Sequence, residues 1–166
     1  MLSLLQSRLR VPPDDLTLAA DNDVNLVITT PSPGDALRIA TTVHRRSRRS
    51  QQPLVTLRFG ATTQQEGWDL AWAAACAGTL LIVDTERAPL YAQEWLSDRL
   101  RAECTRDART VRVFAAAESA LHAYVRRGEF LERVYYQLNV IHLLATSRSA
   151  AWLPRLTARE QQVLGA

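Results

Sequence analysis

Ala77-Gly78-Thr79-Leu80-Leu81-Ile82-Val83-Asp84 is an apolar run opened by glycine and closed by a single carboxylate. A run of this length with no polar interruption predicts a strand buried on both faces, which places it inside a parallel sheet covered by helices. Asp84 then falls at the carboxyl edge of that sheet, where α/β proteins hold their ligands.

Working outward, apolar and β-branched runs recur at 24–29, 53–59, 111–116 and 139–144, and helical patterns separate them. Ser32 is placed to cap a helix that begins at Pro33 and buries Ala36, Ile39, Ala40 and Val43. Further helices are predicted over 14–20, from Trp68 to Cys76, from Leu90 through Leu100, and over 118–127 and 130–138. Leu2, Leu5 and Leu9 predict a short amphipathic helix before Pro12-Pro13. Alternation of strands and helices predicts a three-layer α/β domain with a five-stranded, mainly parallel sheet. The organisation read from the sequence is an N-terminal helical segment over 1–23, the α/β domain over 24–145 and a C-terminal tail over 146–166.

With 166 residues and 47% apolar content, the chain is long enough for one full core. No stretch has the length of a membrane span and no leader pattern opens the chain, so a cytoplasmic protein is the expectation. All 20 basic residues are arginine, and the net charge is +3. With no lysine, Schiff-base chemistry, a lysine base and a phosphate-loop lysine are excluded. Cys76 and Cys104 have no CxxC or His/Cys neighbours, so no metal is expected and both are read as packed thiols. The tryptophans of the 68–76 helix read as core. His44, His122 and His142 have no acid or nucleophile partner nearby in sequence. Arg45, Arg46, Arg48 and Arg49 close the helix after Ser32. They read either as a solvated helix end, where cations are favoured, or as a patch for phosphate or nucleic acid, DNA included.

Gly128-Glu129-Phe130-Leu131-Glu132-Arg133-Val134-Tyr135-Tyr136-Gln137-Leu138-Asn139-Val140 resembles the G-x-F-R-x-D-L-Y-Y-R-L-N-V segment of bacterial enhancer-binding proteins, the AAA+ ATPases that activate sigma-54 RNA polymerase. The resemblance extends over most of residues 24–144. It implies a P-loop NTPase-like (AAA+) fold and a transcription-related protein partner.

Carried across residue by residue, the family's phosphate loop places Thr30, Pro33 and Asp35 where glycines are typical and Ala36 at the lysine position. Ser32 and Gly34 are the loop residues still suited to a phosphate. The magnesium-side acidic pair falls on Val83 and Asp84, the polar sensor on Glu118, and the finger arginines on Leu131 and Gln137. Only Gly60 to Ala77 stand where the family inserts its GAFTGA loop, which removes the usual sigma-54 contact, and no helical lid follows. The resemblance therefore implies a pseudo-ATPase serving as a regulatory or protein-binding module, with no catalytic residue and no resident cofactor. The alternatives are a nucleotide sensor holding ATP or ADP through Ser32, Gly34 and Asp84, and nucleic-acid binding by the arginine cluster. Asp84 read without the family is a strand-end residue capping the next turn. Leu156-Thr157-Ala158-Arg159-Glu160 is similar to the opening of a LuxR-type helix-turn-helix, and Thr157 with Glu160 also forms a capping-box pattern.

Overall fold

The computed structural model describes residues 9–59, 64–104 and 110–147. In chain order these form β1 (Leu9–Arg10), α1 (Pro13–Asp21), β2 (Leu26–Thr29), α2 (Pro33–Arg46), β3 (Leu54–Arg58), α3 (Gln65–Ala74), β4 (Thr79–Val83), a 3-10 turn (Thr85–Arg87), α4 (Leu90–Cys104), β5 (Arg112–Ala117), α5 (Leu121–Arg126), α6 (Glu132–Leu138), β6 (Ile141–Leu144) and β7 (Thr146–Ser147).

Five strands make one sheet in the order β3-β4-β5-β2-β6, and every pairing in it is parallel. β4 behaves as its sequence demands. All five residues are buried, and successive side chains enter opposite layers. Leu80 and Ile82 pack with Trp68, Trp72, Trp95, Leu100, Leu121 and Val134, so α3 to α6 cover that face. Leu81 and Val83 pack with Leu16, Ala19, Ile39, Ala40 and Val43, so α1 and α2 cover the other. Each fully buried aliphatic side chain of this strand contributes about 1.5–3 kcal/mol.

Some expectations change. Leu9 lies in a strand, where Leu9 and Arg10 pair antiparallel with Ser147 and Thr146; the rest of the helix expected there lies outside the described residues, as does the LuxR-like segment at 156–164. Val11, Leu16 and Ala19 belong to the same buried cluster as the apolar residues of α2. Cys76 is exposed, not packed, because it follows α3 in a turn where Ala77 has a φ of 63°.

The amino edge of the sheet is closed by polar side chains that sequence patterning does not reveal. Arg112 is fully buried. Its guanidinium donates to the carbonyls of Val24 and Ala19 and lies 4.7 Å over the Phe114 ring. His44 is buried with Nε2 2.9 Å from the Gln52 carbonyl and Nδ1 3.0 Å from Thr79 Oγ1. A carbonyl only accepts, so Nε2 carries the hydrogen and the Thr79 hydroxyl donates to Nδ1. Burial holds the His44 pKa below its ordinary value.

Candidate functional site

A cleft of about 360 Å³ opens at the carboxyl edge of the sheet, between the turn leading into α2 and the ends of β3, β4 and β5. The crossover leaving β2 runs to β3 at one edge of the sheet and the crossover leaving its neighbour β5 runs the other way to β6, which is where open α/β sheets leave room for a ligand. One wall is the turn itself, through Thr30, Pro31, Pro33 and Ala36. The other carries Arg58, Asp84, Arg87 and Glu118, with Val83, Ala116 and Ala117 between them.

The turn folds as the sequence predicts. Ser32 caps α2, its Oγ accepting from the Asp35 N–H at 3.4 Å, and Pro33 takes the first helical position. The same contacts decide what the turn can bind. Five N–H groups remain between Thr30 and Ala36 once the two prolines are discounted, and four are engaged within the protein. Thr30 N–H donates to Ala117 O, Ser32 N–H to Thr30 Oγ1, Asp35 N–H to Ser32 Oγ and Ala36 N–H to Ser32 O. A phosphate-cradling nest needs successive N–H groups turned inward by a left-handed residue. Among the described residues, positive φ occurs at Ala77, Asp84 and Gly128, none of them in this turn. Asp35 adds a mostly buried carboxylate, 3.5 Å from Arg38, and burial pushes its pKa above the usual carboxylate range. The backbone donor set that a phosphate loop turns on a magnesium-bound triphosphate is therefore not assembled from these residues. Ser32 and Gly34 serve the turn as its capping residue and a first-turn helical residue, and the cleft is lined on that side by Thr30, Pro31, Pro33 and Ala36 instead.

Asp84 is held in the left-handed region, with φ 53° and ψ 42°. Its side chain makes no capping hydrogen bond to the 3-10 turn, contrary to expectation. It pairs with Arg58 instead, Oδ2 lying 3.0 Å from Nε. Arg58 arrives from β3, the neighbouring strand, whose register sets it opposite Val83. Arg87 ends the 3-10 turn and stands 3.5 Å from Glu118, just past the end of β5. The Glu118 N–H donates to Oε1 of buried Glu86 at 3.2 Å, joining the turn after β4 to the end of β5. Arg58, Arg87 and Glu86 carry no signal in sequence, since only the adjacency of β3, β4 and β5 brings them together.

The arginine cluster is elsewhere. α2 has 14 residues, so its far end lies about 21 Å from the cleft. Arg45, Arg46 and Arg48 are exposed there, whereas Arg49 turns inward. It clasps Asp23 with Nε and Nη2 at 2.7 and 2.6 Å, and its Nη1 donates to the Gly78 and Thr110 carbonyls. As a buried clamp it is not placed to contact a nucleic acid. His122 stands beside the Tyr135 ring, and His142 hydrogen-bonds Thr29 Oγ1 at 2.8 Å. Among the described residues no group of His, Cys, Asp and Glu could hold a metal, and no helix is long and apolar enough to cross a membrane. Leu131 precedes α6 and Gln137 lies within it.

No protein-family model matches the chain, and no curated protein matches it in sequence. Solved structures do. NtrX of Brucella abortus, in its complex with ADP, superposes with a TM-score of 0.68 at 21% identity, over 79% of this chain and 34% of that one. The P-loop NTPase domain of the sigma-54 transport activator from E. coli gives 0.60 at 19% identity, over 74% of this chain and 97% of that domain. The RuvB Holliday junction branch migration motor of Thermotoga maritima gives 0.58 at 13% identity, over 79% and 43%. The chain thus spans about a third of the NtrX chain. Its fold is that of a P-loop NTPase domain, as in the sigma-54 transport activator and the matched part of NtrX.

Proposed function

We propose that this chain is a non-catalytic, sigma-54-activator-like AAA+ domain that serves as a regulatory or protein-binding module in bacterial transcription, in the cytoplasm. The observation that carries the reading is the internal engagement of four of the five N–H groups in the turn before α2. A site whose donors are already engaged by its own carbonyls and hydroxyls gains little from a phosphate, because each new contact would first break an existing one. The lack of any lysine in the chain and the pairing of Asp84 with Arg58 point the same way. Activators of this fold act on other proteins, and a fold kept without its donors keeps a surface; we therefore assign it a protein partner in a transcription complex. The stretch between β3 and β4 is filled by α3 and its tryptophans, so that partner meets a different surface from the usual sigma-54 contact.

The test is phosphate release by the purified chain with ATP and magnesium. No turnover is expected, and magnesium-dependent hydrolysis above a no-protein control would overturn the proposal.

A second reading, a sensor that holds ATP or ADP without hydrolysis, draws on the cleft itself and on the Ser32-capped start of α2, whose dipole favours anions. The relative NtrX was crystallised with both ADP and ATP. A rise in melting temperature at millimolar nucleotide would favour this reading over the first. Nucleic-acid binding is assigned to Arg45, Arg46 and Arg48 alone, and would weaken steeply with salt.

A further inference from the structure

We propose that the cleft at the carboxyl edge of the sheet receives a small zwitterion of the α-amino-acid type, seated between Arg87 and Glu118. The proposal rests on the reading that this cleft does not serve a nucleoside triphosphate.

Four charged groups face the cleft in alternating sign, as the pairs Arg58 with Asp84 and Arg87 with Glu118. A polyphosphate meeting the two arginines would also meet two carboxylates, and the opposite wall offers it no cation and few amides. A ligand carrying one charge of each sign meets the same four groups without net repulsion. Of the two pairs, Arg87 with Glu118 is the one that opens. Its single contact is 3.5 Å long, and its side chains are 70% and 58% exposed. An exposed pair of this kind is weak. Inserting a zwitterion exchanges one loose pair for two: the ligand carboxylate lies on the planar Arg87 fork, and the ligand ammonium on Glu118.

Glu118 is prepared for that role, because its N–H is tied to the buried Glu86 carboxylate and the strand end cannot drift. Such preorganisation lowers the ordering cost of binding. Pro31, Val83 and Ala116 leave an apolar floor against which a short aliphatic side chain packs. The cleft volume, about 360 Å³, falls at the small end of the range of roughly 300–1,000 Å³ typical of small-molecule sites.

The experiment is calorimetric titration of the whole chain with L-valine, with isobutyrate and isobutylamine as its single-charge halves, and with ATP plus magnesium in parallel. Saturable binding of L-valine is expected, with each half weaker by about tenfold or more for the loss of a charged contact. R87Q and E118Q should each abolish L-valine binding while leaving the melting temperature unchanged, since both side chains are largely exposed. Absence of L-valine heat, equal binding by either half, or full binding in both variants would overturn the proposal. The ATP arm separates the two readings. Silence from both ligands removes the zwitterion alone, whereas ATP heat without L-valine heat removes both.

Discussion

Arg58 Nε stands 3.0 Å from Asp84 Oδ2, so the carboxylate at the end of β4 is neutralised by a cation from the strand beside it. The side chains are 41% and 24% exposed, and water screens the pair. Arg58→Gln should therefore change stability by no more than about 1 kcal/mol, and the small loss should shrink in high salt. Urea unfolding at low and high ionic strength checks both statements.

Arg49 should behave differently from its neighbours in sequence. Arg49→Met removes the clasp on Asp23 and leaves the Gly78 and Thr110 carbonyls without that donor. The expected loss is about 2–4 kcal/mol, tempered by the partial exposure of Asp23. Arg45→Ala, Arg46→Ala and Arg48→Ala should each stay within about 0.5 kcal/mol, as exposed substitutions do. Chemical denaturation of the four variants gives the comparison.

His44 links stability to pH. Burial lowers its pKa in the folded state. Over the interval below the ordinary histidine value of about 6.5, the unfolded chain therefore binds more protons than the folded one. The contribution of neutral His44 is present above that value and is lost as pH falls toward the lowered pKa. His142 is shifted in the same direction by burial and adds to the slope. Urea midpoints at pH 7.5 and 5.5 should fall on acidification in the parent chain, and fall less in His142→Gln. A flat profile in the parent would contradict the buried neutral imidazole.

Gly78 admits no side chain. A Cβ built there would lie 2.0 Å from the Pro53 carbonyl oxygen, which is backbone and pairs with the Thr79 N–H. Gly78→Ala must push β3 away from β4 at their amino ends and should cost about 3 kcal/mol or more. Thermal melting detects a shift of that size.

The sheet was legible because β4 advertises itself: a threonine and four apolar residues between a glycine and an aspartate leave little besides a strand buried on both faces. The start of α2 was legible for the same local reason, since Ser32 and Pro33 are chemically suited to the positions they occupy. The arrangement of the cleft was not. Arg58 and Asp84 are 26 residues apart, and nothing in either neighbourhood says that β3 lies against β4 in a register that makes them meet. Arg49 shows the converse error. In sequence it is one of four similar cations, and only the positions of Asp23, Gly78 and Thr110 single it out for burial. Leu9 was misread because a helical period in a short segment cannot reveal a strand partner at Ser147, far along the chain.

That ladder of two residues has a mechanical meaning. Leu9 pairs with Ser147 and Arg10 with Thr146, so the first and last described residues stand side by side. Tension applied between Leu9 and Ser147 would load this ribbon one rung at a time, like a zipper, Leu9 with Ser147 first and Arg10 with Thr146 next.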